Sequence, residues 1–189
     1  MDLIGHIEKY LGKIQGGEAI SHEEYGRLNF GYFKNQPFDD LLTYITLGLS
    51  HHVISINENK DVRCELLFSV MEMYEHDNIY NLLRYVANEI LSTHKALLRG
   101  QTLILPPGIL KDCNMNGLYV SLPIFFDEDF HVYNSSPPTV FCWIFPLYSE
   151  EMDFIAHNGW NRFEDILEVI DCNLWDLKRP KINFLSFKE

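Results

Sequence analysis

The strongest constraint on the fold is the nine-residue stretch Val62–Val70, in which every second residue, from Val62 onward, is apolar. Cys64, Leu66, Phe68 and Val70 share one face, and Glu65, Leu67 and Ser69 share the other. A period of two is the spacing of a β-strand, so this stretch is predicted to pack one face on a core. Glu65 is the one acid inside this apolar strand, and we expect it to face solvent or a groove, with a partner-binding role as one option.

Two further runs are apolar at nearly every position, Leu118–Phe126 and Thr139–Phe145. Such runs are typical of strands covered on both faces. Pro123 inside the first run favours a bulge or an edge position, and Pro146 is expected to end the second. Further strands are predicted at residues 31–34, 41–49 and 102–105, and as an edge strand in the tail 178–189.

Helical spacing of apolar residues occurs at both ends of the chain and in its middle. The first helix should end at Gly16-Gly17, and a long one should run from a cap at Asp77 or Asn78 to Gly100. Two more should begin at the caps Ser149 and Asn161. The mixture of elements predicts an α+β fold: one domain over residues 1–189, with a mixed β-sheet covered by helices.

The net charge excludes some classes of partner. The chain has 27 acidic and 15 basic residues among 189, a formal charge of −12, which repels phosphate backbones and argues against direct nucleic-acid binding. Residues 1–13 have scattered charges and no apolar core, and no long apolar stretch follows, so we expect neither a signal peptide nor a membrane span; four dispersed cysteines indicate free thiols. We therefore expect a cytoplasmic protein without a membrane role.

Acidic residues concentrate between Glu150 and Asp176, where eight acids accompany a single basic residue, Arg162. This segment predicts an anionic surface that meets a cationic protein, although a merely solvated helix face gives the same pattern. Tyr148 and Trp160 flank the segment's first helix and are candidate anchors, with core packing as the alternative. The predicted partner-binding residues are Glu150, Glu151, Asp153, Trp160, Glu164, Asp165 and Glu168.

Other polar motifs give weaker signals. Asp127 and Asp129 form a D-x-D pair that is either a cation site or a solvated turn. The run from Gly48 through Ser50 to His52 has no nucleophile elbow, and adjacent histidines on a strand point to opposite faces. No nucleotide-binding motif occurs. We therefore predict no catalytic residue, no metal and no cofactor.

An ordered set of segments resembles the suppressor-of-fused-like domain family from about Tyr44 to Ile170. These segments are Thr46-Leu47-Gly48-Leu49-Ser50, Arg63-Cys64-Glu65-Leu66-Leu67-Phe68, His94 with Gly100-Gln101-Thr102, and Phe145-Pro146-Leu147-Tyr148-Ser149-Glu150-Glu151 continuing to Gly159. The chain looks like the bacterial single-domain members, many of which are similar to antitoxins, or immunity proteins, made beside LXG-type toxins.

The resemblance implies a protein that binds and silences a cognate toxin, often one ending in a nuclease domain, by masking its active site. It carries over no catalytic residues. Two alternatives stay open: a peptide-binding adaptor that adds a partner's strand to a sheet edge, and a metal-dependent hydrolase using Asp127 and Asp129.

Overall fold

A computed structural model describes residues 1–22, 25–75, 78–111 and 113–187. The strands within these ranges are β1 (Gly16–His22), β2 (Gly26–Lys34), β3 (Leu41–Leu47), β4 (Ile54–Asn57), β5 (Lys60–Met71), β6 (Thr102–Ile104), β7 (Gly117–Ser121), β8 (Val132–Tyr133) and β9 (Thr139–Leu147). The α-helices are α1 (Leu3–Leu11), α2 (Asn78–Thr93), α3 (Ser149–Asn158) and α4 (Trp160–Val169).

All the strands join one sheet in the order β1-β2-β3-β5-β9-β7-β6, with β4 paired to β5 and β8 paired to β9. Neighbours are antiparallel except β5 and β9, which run parallel from Arg63 beside Thr139 to Leu67 beside Trp143. This confirms the predicted α+β fold with a mixed sheet covered by helices. β3 and β4 each pair with β5.

Alternation along the central strands divides the core into two layers. On β5, Cys64, Leu66, Phe68 and Val70 pack in one cluster with α2, as predicted. Leu67 points to the opposite cluster, which holds α1, α3 and α4. Both faces of β9 are likewise buried, which accounts for its near-continuous apolar sequence.

Two prolines mark where the strand predictions need correction. β7 ends at Ser121, before Pro123, so residues 122–126 leave the sheet. Pro146 lies inside β9 and does not end it, because it pairs with Leu118 of β7 while pairing with β5 stops at Trp143. Proline has no backbone N–H to donate. At position 146 this costs no sheet hydrogen bond, because the donor would point to the side of β9 where pairing with β5 has already stopped.

Several predicted boundaries are wrong. α1 ends at Leu11, before the predicted stop at Gly16-Gly17, and these two glycines begin β1. α2 stops at Thr93, well before Gly100, because the chain turns to pair with β4: Ser55 N–H donates to the His94 carbonyl at 2.9 Å. The Asp77 cap lies outside the described residues.

The C-terminal predictions need smaller changes. Tyr148 is the N-cap of α3 in place of Ser149, and α4 follows Gly159 directly, before Asn161. Residues 178–187 contain a 3-10 turn at Phe184–Phe187 and no strand. All four cysteines are free thiols. In the described part of the chain no helix has the length and apolar character needed to cross a bilayer.

Candidate partner-binding surface

The seven predicted partner-binding residues separate into exposed and internal groups. Asp153, Asp165 and Glu168 are exposed on α3 and α4, with no ion pair to a described residue. Glu150 is also exposed, and its carboxylate meets Lys181 at 2.6 Å. These acids are available to a partner, whereas Glu151, Glu164 and part of Trp160 are engaged within the molecule.

Glu151 is a correction to the predicted surface, because its side chain is 0% exposed. Its two carboxylate oxygens each accept a 2.6 Å hydrogen bond from Arg179, itself 2% exposed. Oε2 also accepts from the Tyr148 N–H at 3.0 Å and Oε1 from the Ile182 N–H at 3.1 Å. Burial lowers the pKa of Arg179, but the hydrogen bonds and charge of Glu151 outweigh it and raise that pKa overall. Glu151 thus closes the first turn of α3 and ties the C-terminal segment to it.

Glu164 is half-buried where α4 meets the sheet. Oε1 accepts hydrogen bonds from the Tyr119 hydroxyl at 2.8 Å and from Arg99 Nε at 3.1 Å. Oε2 accepts one from Arg99 Nη2 at 2.5 Å. Burial, followed by the Glu164 contact, raises the pKa of Tyr119. The Arg99 guanidinium also lies 5.2 Å from the ring centre of Trp160. The predicted anchor Trp160 is therefore packed on one side and half-buried.

A cavity of about 340 Å³ lies between α4, the segment after it, and the sheet face formed by β7 and β9. Phe125, Trp143 and Trp175 line it, with Phe125 5.3 Å from Trp143 and 4.9 Å from Trp175 between ring centres. Phe38 joins the same ring cluster from the β2–β3 loop, 5.5 Å from Trp175. We call Phe38, Ile124, Phe125, Trp143 and Trp175 the aromatic patch.

Much of the aromatic patch is open to solvent. Phe38 is 50% exposed, Ile124 55% and Phe125 36%, whereas Trp143 beneath them is buried. The acids Glu168 and Asp171 lie at the same cavity. Sequence reasoning missed this patch because residues 118–126 were assigned to one strand and Phe38 to a loop. Pro123 was the available signal, since a strand that stops there leaves Ile124 and Phe125 outside the sheet.

Glu65 is fully buried, so the expectation that it faces solvent or a groove is wrong. Its carboxylate accepts from the Thr46 and Ser50 hydroxyls, each at 2.6 Å, and from the Gly48 and Ser50 N–H groups at 2.8 and 3.1 Å. Burial raises the pKa of Glu65 although these four donors lower it. Arg63 completes the arrangement by donating to the Ser50 carbonyl at 2.8 Å. The network fixes the 48–51 turn to β5.

The remaining motifs also have structural partners. Ser50 donates to Glu65 and not to a histidine; His51 is exposed, and the ring of His52 lies 3.2 Å from the Tyr25 carbonyl. Asp127 caps a short 3-10 turn by accepting from the Asp129 N–H at 2.9 Å. Within the described ranges, no three His, Cys, Asp or Glu side chains are grouped as a metal site would require.

The chain matches a known protein family. The sequence model of the Suppressor of fused protein (SUFU) family matches residues 24–180. Immunity protein YqcF of Bacillus subtilis is 25% identical over a 160-residue alignment that covers 78% of this chain and 78% of that protein.

Solved structures show the same fold. A SUFU homologue from Neisseria gonorrhoeae superposes with a TM-score of 0.73 at 14% identity, over 94% of this chain and 92% of that one. A Sufu–Fu complex gives 0.71 at 14% identity, over 98% and 92%. Drosophila Suppressor of Fused gives 0.64 at 16% identity, over 86% of this chain and 44% of that one. Because the family match spans most of its residues, this chain belongs to the Suppressor of fused family.

Proposed function

We propose that this chain is an immunity protein that binds a cognate toxin in the cytoplasm and masks the toxin's active site. The observation that carries this proposal is that the exposed acid Glu168 of α4 lines the cavity of the aromatic patch, while Asp153 and Asp165 are further exposed acids of α3 and α4. Exposed aromatic side chains next to charged ones are typical of protein–protein interfaces. The relative YqcF is itself named an immunity protein.

The charge of the surface favours a nuclease as the toxin. A nuclease must attract a polyanionic phosphate backbone, so its substrate groove carries positive potential. Asp153, Asp165 and Glu168 are exposed acids that offer the opposite sign on neighbouring helices. Docking of such a surface over the groove would exclude nucleic acid by both volume and charge. The toxin is then silenced without any reaction, cofactor or metal supplied by the immunity protein.

The two parts of the surface are expected to act on different rate constants. Long-range attraction from the acids raises the association rate, which reaches roughly 10⁸–10⁹ M⁻¹s⁻¹ in steered complexes at low salt. Buried aromatic contacts act mainly on dissociation, because a few well-packed anchors supply most of the binding energy. An immunity protein benefits from both, since the toxin must be captured early and held.

The first experiment is co-expression with the toxin encoded by the adjacent gene. We expect full-length chain to restore growth and to form a stable complex by size-exclusion chromatography. Continued killing in cells that contain abundant soluble chain would contradict the immunity function.

The second experiment separates charge from shape by surface plasmon resonance. Asp153→Lys, Asp165→Lys and Glu168→Lys each replace −1 by +1, so the triple variant carries −6 in place of −12. We expect its association rate to fall at least roughly tenfold at low salt and its salt dependence to flatten. Glu164 is left intact, because its contacts with Arg99 and Tyr119 are structural.

The matched control places the same charge change elsewhere. Glu18, Glu58 and Glu89 are exposed acids on β1, the β4–β5 turn and α2. Their triple Lys variant has the same net charge of −6. Equal slowing by both triple variants would show that only net charge matters and would remove the α3–α4 surface from the proposal.

A further inference from the structure

We infer that the cavity beside α4 is an anchor site for one arginine side chain of the partner protein, an inference that rests on the proposed binding function. The aromatic patch would contact the flat guanidinium and the methylene stem of the arginine. Glu168 and Asp171 would form ion pairs with the guanidinium.

The floor of the cavity suits a planar, weakly hydrated cation. Phe125, Trp143 and Trp175 present rings at steep angles to one another, with Phe125 perpendicular to Trp143 at 90°. Guanidinium groups stack on such faces and are attracted by the ring quadrupole.

The electrostatic potential of the cavity is negative for two reasons. Arg99 and Glu164 both line it, but they neutralise each other, which leaves the Glu168 and Asp171 carboxylates without an opposite charge from any described residue within 4 Å. The cavity also lies at the C-terminal end of α4, whose last turn contains no basic residue. The free carbonyls of a helix C-terminus favour a cation.

The molecule already binds two of its own arginines in this way. Arg99 lies 5.2 Å from the Trp160 ring while two of its nitrogens meet Glu164. Arg179 lies 5.5 Å from the Tyr148 ring while two of its nitrogens meet Glu151. The cavity offers the same pairing of ring and carboxylate with the arginine missing. Lysine would satisfy the charge but neither the stacking nor the two-point hydrogen bonding.

The recess is large enough to admit an arginine side chain. Its volume of about 340 Å³ lies at the small end of the roughly 300–1,000 Å³ typical of ligand pockets. Ile124 and Phe38 stand exposed at its margin, where a partner's neighbouring residues would cover them. One charged anchor surrounded by apolar contact is the arrangement expected of an interface hot spot.

The test uses the full-length chain and N-acetyl-arginine amide as the probe, followed through the indole N–H signals of the three tryptophans. Each signal is assigned from a Trp→Phe variant. We expect saturable shifts of the Trp143 and Trp175 signals. N-acetyl-citrulline amide, which keeps the shape but has no charge, should bind at least roughly tenfold more weakly, and N-acetyl-lysine amide should also be weaker.

Variants locate the site. Glu168→Gln combined with Asp171→Asn should weaken probe binding by roughly tenfold or more, since it removes both carboxylates and keeps their shape. The control, Glu18→Gln with Glu58→Gln, changes net charge equally at exposed acids that do not line the cavity and should bind the probe like the natural chain. Absent indole shifts, equal binding of citrulline, or equal weakening by both variants would each overturn the inference.

The toxin is absent from this titration, so the two proposals fail separately. If the toxin complex forms but the probe does not bind, the arginine site is wrong and the immunity function stands. If the probe binds as described but the chain gives no protection, the immunity function is wrong. With the toxin in hand, the Glu168→Gln and Asp171→Asn variant should dissociate at least roughly tenfold faster than the Glu18→Gln and Glu58→Gln control.

Discussion

Removal of one partner from the buried Glu151–Arg179 pair should destabilise the whole fold. Glu151→Gln leaves the guanidinium of Arg179, which is 2% exposed, without a counter-charge. Arg179→Met leaves the carboxylate with only the Tyr148 and Ile182 N–H donors. It also frees the Pro146 carbonyl, which now accepts from Nη2 at 3.1 Å.

The size of the effect follows from burial. Removal of one member of a buried ion pair costs roughly 3–5 kcal/mol, because an uncompensated charge stays out of water. For a domain of this length each kcal/mol lowers the melting temperature by roughly 2–4 °C, so each single variant should lose about 6–20 °C. Glu151→Gln belongs at the lower end, because its amide oxygen still accepts one hydrogen bond. The double variant should be less destabilised than the sum of the singles by about 2 kcal/mol.

Urea unfolding followed by tryptophan fluorescence measures these free energies. Lys181→Ala is the control, because its ion pair with Glu150 is 61% and 56% exposed and its loss should leave the unfolding midpoint unchanged. A destabilisation below about 1 kcal/mol in both single variants would refute the assignment of Glu151 as a structural anchor. It would return Glu151 to the candidate partner surface.

Two further predictions concern positions away from that pair. Burial raises the pKa of Glu65 above 4.5, so its stabilisation is full below pH 4.5 and is lost as the pH rises through the folded-state pKa. The unfolding free energy of Glu65→Gln should therefore fall less between pH 4.5 and pH 8 than that of the natural chain, and equal slopes in urea titrations would contradict this. Gly100→Ala should cost about 1–3 kcal/mol in thermal unfolding, because its φ is +90° and a Cβ would lie 2.4 Å from the Trp160 ring. Gly108→Ala, with φ +76° and open space around it, should cost less; equal losses would remove the role of Trp160.

The sequence predicted those parts of the fold in which local pattern and tertiary packing agree. The alternation in β5 and the apolar run of β9 follow directly from a sheet buried on both faces. The end of α2 was missed because the helical spacing of apolar residues continues through Leu97, whereas the backbone after Thr93 forms hydrogen bonds with β4. A long-range hydrogen bond of that kind leaves no local signal.

The candidate site was less predictable, for a related reason. Charge counting cannot separate Glu151 from Glu150, although one is buried and the other exposed. The deciding residue, Arg179, lies 28 positions away in a segment predicted as an edge strand. Similarly, Phe38 and Trp175 come together only in three dimensions. The acids Asp153, Asp165 and Glu168 were placed correctly on the surface, because helix faces follow from spacing alone.

The parallel pairing of β5 with β9 has a consequence for synthesis. These two strands lie side by side at the centre of the sheet, yet Arg63 and its neighbour Thr139 are separated by the chain that forms α2, β6, β7 and β8. Contacts between such distant positions close late and slow the acquisition of native structure. A ribosome must therefore release almost the entire polypeptide before the central ladder can form, and Arg179 follows later still. A nascent or truncated chain that ends before Thr139 should expose the apolar flank of β5, which makes it a substrate for chaperones and proteases rather than a partial version of the finished molecule.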